Sequence, residues 1–316
     1  MTAPWPLPAA EPRTAPLPNS PAGAAVEPLS GSALLGWRRR QLAQGGRAAD
    51  LDWLLDLAAG LRWSDLQRLH LVPERSVRLQ TPLAALEALW RRHLTGQEPL
   101  QYLVGCCPWR DLELAVAPGV LIPRQESELL VDLAQRLVKQ PPGIWADLGT
   151  GSGCLALALA RLWPESRGLA VDLSSQALLQ ARANLEAGGV GGRVELAAGS
   201  WWQPLRSHWG SLELVLANPP YIPTAVWAQL EAGVRDHEPS LALDGGGDGL
   251  REIRIIAAGA VAALAPGGWL LLEHHHDQGE AVAALLVASG LGQVEAHLDL
   301  AGMRRFACAR RPLSSP

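Results

Sequence analysis

From Gly143 onward the chain alternates between apolar runs of strand length and longer segments of helical length, which favours parallel strands joined by crossover helices. The last two predicted strands are joined only by residues 299–302, which is too short for a crossover, so the final strand must run antiparallel. The sequence therefore predicts an α/β fold with a doubly wound, mostly parallel seven-stranded sheet. The predicted strands are 144–148, 168–172, 193–197, 212–217, 268–273, 293–298 and 303–309, and the main helices are 153–163, 174–187, 249–264 and 278–289.

Three further regions precede this α/β region, which we assign to residues 124–316. Residues 1–30 are rich in proline and alanine, which is typical of a disordered tail. Residues 31–97 read as short helices, the third with capping-box spacing from Ser64 and the fourth opened by Thr81 and Pro82. In residues 98–123 polar and apolar residues alternate before a Pro-Gly turn, so a β-hairpin linker is predicted there.

Composition limits the possible functions. The chain has 27 Lys and Arg against 31 Asp and Glu, a formal net charge of −4, and 48% hydrophobic residues. These values exclude a wholly disordered chain and argue against a protein that holds nucleic acid through bulk positive charge. Four cysteines are too few for a disulfide framework, and we expect buried free thiols in a reducing compartment. We expect no signal peptide and no membrane span, because the uncharged stretch 255–272 is interrupted by a Pro-Gly-Gly turn.

A glycine-rich loop follows the first strand of the predicted sheet. Its residues are Gly149, Thr150, Gly151, Ser152 and Gly153, and glycines there let the backbone approach a ligand closely. The G-x-G-x-G spacing suits a nucleoside without a phosphate better than a dinucleotide. Asp172 ends the second strand, where a carboxylate can accept hydrogen bonds from both ribose hydroxyls.

The four residues Asn218, Pro219, Pro220 and Tyr221 give the strongest functional signal. They follow a buried strand and so lie at the carboxyl edge of the sheet, where ligands bind in such folds. The prolines fix the backbone and remove N–H donors, so the Pro219 carbonyl and the Asn218 side-chain oxygen can act as paired acceptors for one planar NH₂ group. Tyr221 offers a ring face to a flat group or to a methyl cation in transit.

Taken together, these motifs resemble those of class I methyltransferases that act on NH₂ nitrogens with S-adenosyl-L-methionine, which have a Rossmann-like fold. Further segments are similar to the release factor glutamine methyltransferase family, and the similarity covers roughly residues 35–312. The segments are 101–105, 122–128, 238–239 with 242–243, 249–250 and 272–274.

The resemblance implies N5-methylation of the glutamine amide in the Gly-Gly-Gln motif of peptide chain release factors, in the cytoplasm and without direct contact to nucleic acid. It implies that residues 31–97 bind the substrate and that residues 124–316 bind the cofactor and catalyse. Gly149 to Gly153, Asp172, Trp201 and Asn218 would contact the cofactor, and Asn218 to Tyr221 would hold the glutamine. Trp202 is the alternative to Trp201.

The chain departs from the family pattern at several positions. The acidic residue that usually precedes the aromatic position is Ser200 here, so a contact to the adenine amino group is made by Ser200 or is missing. Gln125 and Ser127 replace a proline and a threonine, and the hydroxyl is kept at 127. His275 and His276 stand where the family continues with glycine.

Other functions remain as alternatives. A nucleic-acid N6-adenine methyltransferase would use the same Asn-Pro-Pro-Tyr chemistry, but it would need a basic surface for a polyanion. A non-catalytic nucleoside-binding module would not need the intact motif, and the glycine spacing disfavours a nicotinamide oxidoreductase. We predict no metal site at residues 274–276, because consecutive residues of a strand point to opposite faces.

Overall fold

Residues 27–313 are described by the structure, a computed structural model, and their contacts divide them into two units. The helical unit comprises residues up to Cys106 together with Ala232–His237. The sheet unit comprises Cys107–Glu231 and the residues from Glu238 onward. Residues 1–26 of the predicted disordered tail lie outside the described part of the chain.

The helical unit packs short amphipathic helices around a leucine-rich core, as the sequence predicts. Leu34, Leu54, Leu86 and Trp90 are completely buried in this core. Its elements are β1 (Leu29–Ser30), α1 (Gly31–Leu42), α2 (Ala48–Ala59), α3 (Trp63–Leu71), β2 (Ser76–Val77), α4 (Leu83–Gly96), α5 (Leu100–Val104) and α10 (Ala232–Arg235).

Three details at the ends of these elements differ from the sequence prediction. Ser64 does not cap α3, because the chain is already extended at Arg62 and the helix begins at Trp63. Thr81 does not cap α4 either: its hydroxyl donates to the Ala58 carbonyl, and Pro82 occupies the cap position. The short strands β1 and β2 pair antiparallel, so residues 29–30 of the predicted tail belong to a strand.

The sheet unit contains the predicted seven-stranded sheet. Its strands are β5 (Ile144–Leu148), β6 (Arg167–Asp172), β7 (Val194–Ala198), β8 (Leu212–Ala217), β9 (Leu264–Glu273), β10 (Gly292–Leu298) and β11 (Arg304–Arg310). They lie in the order β10-β11-β9-β8-β5-β6-β7. The five strands from β7 to β9 are parallel, and β11 runs antiparallel to both of its neighbours, as predicted.

Helices cover both faces of the sheet and bury its apolar residues. They are α6 (Glu128–Leu137), α7 (Cys154–Leu162), α8 (Ser175–Ala187), α11 (Arg251–Ala263) and α12 (Gly279–Ala288). The one-turn helix α9 (Thr224–Trp227) has no buried residue. Residues of α6 and α7 lie in the core on one face, and residues of α11 and α12 lie in the core on the other. Helix α6 was not predicted from the sequence, although Leu130, Val131 and Ala134 are buried on one side of it.

A hairpin lies within the predicted range as β3 (Cys106–Trp109) and β4 (Leu112–Ala115), which pair with each other. Its turn is at Arg110 and Asp111, so the prediction of a hairpin turn at Pro118 and Gly119 is wrong, and these two residues form a separate turn after β4. The helix α5 just before it was not predicted. All four cysteines are free thiols, and three of them are buried. Within residues 27–313, the longest apolar helices fall short of what a bilayer crossing requires.

Candidate active site

The glycine loop between β5 and α7 is held by backbone hydrogen bonds to the neighbouring strand. The amides of Gly149 and Thr150 both donate to the Val171 carbonyl, at 2.8 and 2.9 Å. Gly153 has a φ of 82°, a left-handed conformation, and a Cβ there would lie 3.0 Å from the Ala181 Cα. Only glycine therefore fits at this position, and the loop lies close against α8.

Asp172 lies at the end of β6, opposite this loop. Its carboxylate accepts hydrogen bonds from the Gly151 amide at 2.8 Å and the Ser174 amide at 2.9 Å. Burial raises the pKa of Asp172, and these backbone hydrogen bonds lower it. The carboxylate is thus fixed in one orientation, with lone pairs left for a ligand.

A cleft of about 890 Å³ lies between the loop, Asp172 and the end of β8. Among the sequence-predicted site residues, those that line it are Gly149, Gly151, Asp172, Trp201, Asn218 and Pro220. Thr150 and Ser152 are buried within the loop instead, and Gly153 caps α7. The single fixed carboxylate beside a glycine cradle suits a nucleoside.

Two adjacent tryptophans follow β7, and they have different environments. The Trp201 ring lines the cleft beside Gly149, and its indole N–H donates to the Glu252 carboxylate at 2.8 Å. Trp202 is buried and donates to the Ile256 carbonyl. Ser200 and Glu252 also line the cleft, and sequence reasoning had not singled out Glu252.

A smaller pocket of about 280 Å³ adjoins the Asn-Pro-Pro-Tyr segment. Its lining includes Arg124, Asn218, Tyr221 and Leu243. Asn218, like Leu121 and Ala242, lines both this pocket and the larger cleft, so it lies where the two spaces meet. A molecule bound in the cleft and a second molecule bound in the smaller pocket would therefore approach each other at Asn218.

Buried hydrogen bonds connect the two ends of the Asn-Pro-Pro-Tyr segment. The Asn218 amide nitrogen donates to the Ser127 hydroxyl at 2.8 Å, and Ser127 donates to Glu273 at 2.6 Å. The Tyr221 hydroxyl donates to the other oxygen of Glu273 at 3.0 Å. Burial raises the pKa of both Glu273 and Tyr221. Ser127 and Glu273 stand in segments that carried the family resemblance, but the sequence alone did not connect them to Asn218.

Comparison with known proteins adds to this geometry. A family model, the methyltransferase small domain, matches residues 125–230. A release factor glutamine methyltransferase of Prochlorococcus marinus is 49% identical over 287 residues, covering 90% of this chain and 98% of that protein. The chain belongs to the release factor glutamine methyltransferase family.

A second member of the family, from Thermosynechococcus vestitus, is 46% identical over 75% of this chain and 82% of its own length. Among solved structures, the hMettl16 catalytic domain in complex with MAT2A 3′UTR hairpin 6 aligns with a TM-score of 0.52 and 14% identity. That alignment covers 64% of this chain and 75% of the other, and it supports the Rossmann-like methyltransferase fold alone.

Membership of the family implies S-adenosylmethionine as the methyl donor, and the cleft fits that group. A Cβ at Gly149 would approach the Trp201 ring to 3.2 Å, so the loop leaves room only for a bare backbone beside the ring. The fixed carboxylate of Asp172 supplies hydrogen-bond acceptors suited to ribose hydroxyls.

Two further buried side chains support the acceptor pocket in this family member. Glu238 accepts a hydrogen bond from the Ile122 amide and pairs with the Arg124 guanidinium at 2.5 Å. Gln278 donates to the Tyr221 carbonyl and to the Asp248 carbonyl. These two hydrogen bonds connect the Asn-Pro-Pro-Tyr segment to residues 245–249, a second glycine-rich loop that precedes α11. Sequence reasoning missed Gln278, since no local pattern marks it.

The histidines 274–276 follow β9 instead of lying in it, so the strand-alternation argument does not apply to them. His274 is fully buried and bonds through Nδ1 to the His275 carbonyl oxygen, whereas His275 pairs with Asp277. Among the described residues, no group of three or more His, Cys, Asp or Glu side chains could hold a metal ion.

Proposed function

We propose that this protein methylates the side-chain amide nitrogen of the glutamine in the Gly-Gly-Gln motif of peptide chain release factors, with S-adenosylmethionine as the donor. One observation carries the proposal: Asn218 lines both the cleft and the smaller pocket, at their junction. The names of the curated relatives agree with this substrate.

The proposed cofactor site is the larger cleft. Asp172 would accept hydrogen bonds from the ribose hydroxyls, and Trp201 would contact the cofactor through its ring. The glycine loop would pass beneath the cofactor. We assign cofactor binding to Gly149, Thr150, Gly151, Ser152, Gly153, Asp172, Trp201 and Asn218, with Thr150, Ser152 and Gly153 shaping the loop from within.

The proposed catalytic residues are Asn218, Pro219, Pro220 and Tyr221. A carboxamide nitrogen is a weak nucleophile because its lone pair is delocalised into the carbonyl. The Asn218 side-chain oxygen and the Pro219 carbonyl would each accept one hydrogen of the substrate NH₂. In the described part of the chain, the Pro219 carbonyl makes no hydrogen bond, so it is available for this role. The two acceptors favour a more tetrahedral nitrogen and aim its lone pair.

The bound cofactor supplies a sulfonium methyl group, a strong electrophile. As the new N–C bond forms, the methyl–sulfur bond would break and its electron pair would stay on sulfur, so that a neutral thioether leaves. The methylated nitrogen would then be cationic and very acidic, and one of its two protons would leave to water. Asn218 and Pro219 stabilise the positive charge through their oxygens, and Tyr221 closes one side of the acceptor pocket. No histidine base is needed, because the protonated amide is acidic enough to lose its proton unaided.

We further propose a division of labour along the chain. Residues 31–97 would bind the release factor, residues 98–123 would serve as a hairpin linker, and residues 124–316 would bind the cofactor and catalyse. The chain would act in the cytoplasm, because its proposed substrate works on the ribosome.

A labelled-methyl assay tests the function. The purified protein is incubated with methyl-labelled S-adenosylmethionine and one of three acceptors: a release factor, the same factor with the motif glutamine replaced by alanine, or DNA and RNA. We expect label in the first acceptor alone. Label in the nucleic acids, or equal label in both factors, would contradict the proposal.

A further inference from the structure

Glu273 is a buried acid with two hydrogen-bond donors on its carboxyl group. Its side chain accepts from Ser127 on one oxygen and from Tyr221 on the other, and the residue is 1% exposed. Burial raises the pKa of Glu273, whereas the hydrogen bonds from Ser127 and Tyr221 and the positive charge of Arg305 favour its carboxylate form.

The hydrogen bonds among Asn218, Ser127 and Glu273 determine which end of the Asn218 amide faces the acceptor pocket. Ser127 has one hydroxyl hydrogen, and the acceptor-only carboxylate of Glu273 takes it. The Ser127 oxygen can then only accept, so the Asn218 atom at 2.8 Å must be the NH₂ nitrogen. The Asn218 oxygen is therefore left to face the substrate.

We propose that Ser127 and Glu273 are positioning residues that hold the Asn218 oxygen toward the acceptor pocket and thereby make the site select a carboxamide over a carboxylate. The inference rests on the function proposed above. A glutamine NH₂ meets two acceptors, Asn218 and Pro219, and satisfies both. A glutamate in the same place presents only hydrogen-bond acceptors. Its carboxylate oxygens would then face the oxygens of Asn218 and Pro219, and the two sets of oxygens would repel each other.

Without the Ser127 hydroxyl, the Asn218 side chain loses the hydrogen-bond acceptor that fixes the positions of its NH₂ group and its oxygen. It can then rotate by 180° and present its NH₂ group to the pocket. In that orientation it repels the glutamine NH₂ and donates to a carboxylate. Loss of the hydroxyl should therefore lower the rate with glutamine and improve the binding of glutamate, a pair of effects that a loss of packing alone does not produce.

The test compares Ser127→Ala with Ser127→Thr, which keeps the hydroxyl. Ser166→Ala is the matched control, because Ser166 is also buried and its hydroxyl has no partner among the described residues. Each variant is assayed for single-turnover methylation of a release factor, for cofactor affinity, and for inhibition by a release factor whose motif glutamine is replaced by glutamate.

For Ser127→Ala we expect a rate at least about 10-fold lower, since the loss of one oriented hydrogen bond costs about that much. Cofactor affinity should stay within about twofold, and inhibition by the glutamate-containing factor should strengthen about fivefold or more relative to wild type. Ser127→Thr should restore both values, and Ser166→Ala should match wild type.

An unchanged rate and unchanged inhibition in Ser127→Ala would overturn the inference, as would a lower rate with no gain in glutamate binding. If Ser127→Ala does not fold, Ser127→Val decides, because valine matches the threonine of Ser127→Thr in volume but has no hydroxyl; it must show the same gain in glutamate inhibition. If wild type itself fails to label the release factor, the proposed function fails instead, so the two failures are distinct.

Discussion

At the scale of single residues, each proposed role corresponds to a different measurable quantity. Asn218 stands between the two cavities and is proposed to act on the substrate nitrogen, whereas Asp172 lies in the cleft, with its carboxylate fixed by two backbone amides. Removal of the first side chain should slow the chemical step, and removal of the second should weaken cofactor binding.

We expect Asn218→Ala to lower the single-turnover rate of methyl transfer by about 10²-fold or more, because an oriented acceptor at the reacting nitrogen is lost. Cofactor affinity should fall by much less. Rapid-quench methylation and calorimetric titration of the cofactor measure the two quantities. An unchanged rate would contradict the catalytic assignment.

For Asp172→Ala we expect cofactor affinity to fall by about 10- to 100-fold, since the hydrogen bonds between a partly buried carboxylate and the ligand are lost. The rate at saturating cofactor should change less. Titration of the variant with S-adenosylhomocysteine gives the affinity, with Asp277→Ala, an exposed acid outside the cleft, as control. Equal affinities for wild type and Asp172→Ala would exclude the ribose contact.

The residues that sequence reasoning found are those whose roles follow from local spacing, such as the glycine loop, Asp172 and Asn218. The Ser127–Glu273 pair is 146 positions apart in the chain and meets only when α6 packs beside the end of β9. Gln278 likewise reaches the Tyr221 carbonyl across 57 positions. Such contacts depend on tertiary packing and leave no periodic pattern in the sequence.

At the scale of elements, the loop between β5 and α7 combines a backbone conformation with close packing. At Gly153 a side chain would be strained by the positive φ and would also contact Ala181. By contrast, a Cβ at Gly192, in the turn before β7, would have no neighbour within 4 Å.

We expect Gly153→Ala to lower the free energy of unfolding by about 1–3 kcal/mol and to weaken cofactor binding, because the left-handed backbone becomes strained and α8 must shift. Gly192→Ala is the control and should be within about 0.5 kcal/mol of wild type. Urea denaturation measures both. Equal midpoints for the two variants would show that the loop tolerates a side chain.

The strands of the sheet were predicted to within one residue at most ends, since their apolar runs are bounded by glycine, proline and charged residues. The exception is β9, which begins at Leu264, four residues before its predicted start. Helix starts were less predictable: Ser64 has the residue types of a cap, but the chain turns into α3 two residues earlier. Backbone hydrogen bonds to the Arg62 carbonyl fix that start, and spacing alone does not reveal them.

At the scale of the whole molecule, one buried acid should shape the pH dependence of stability. Asp147 is fully buried, its Oδ1 has no partner among the described residues, and burial raises its pKa to about 7. Between about pH 4 and pH 7 the folded protein holds a proton that the unfolded chain has released, so this contribution to stability falls as pH rises through that window.

We expect Asp147→Asn to remove the fall in stability that the titration of Asp147 causes between about pH 4 and pH 7. The difference in unfolding free energy between Asp147→Asn and wild type should grow by at least about 1 kcal/mol from pH 4.5 to pH 7.5. Thermal unfolding across that range measures it. A constant difference between the two proteins would mean that Asp147 is already ionised in the folded state.

The proposal that the helical unit binds the release factor predicts a difference between large and small substrates. Trp63 and Leu71 at the two ends of α3 are 63% and 82% exposed. Changing both to serine should raise the KM for an intact release factor about 10-fold, because apolar contact area is lost, and should leave the KM for a short Gly-Gly-Gln peptide unchanged. Equal effects on both substrates would argue against a docking role for this surface.

The position of β11 in the sheet has a consequence for the order in which the molecule assembles. In the described sheet β11 is the sole partner of β10, and β11 also covers the free edge of β9. The hairpin of β10 and β11 must therefore dock as a piece onto a strand synthesised before it. Until it arrives, nascent β9 presents an unpaired, leucine-rich edge with which other chains can pair, so aggregation competes with folding in this interval.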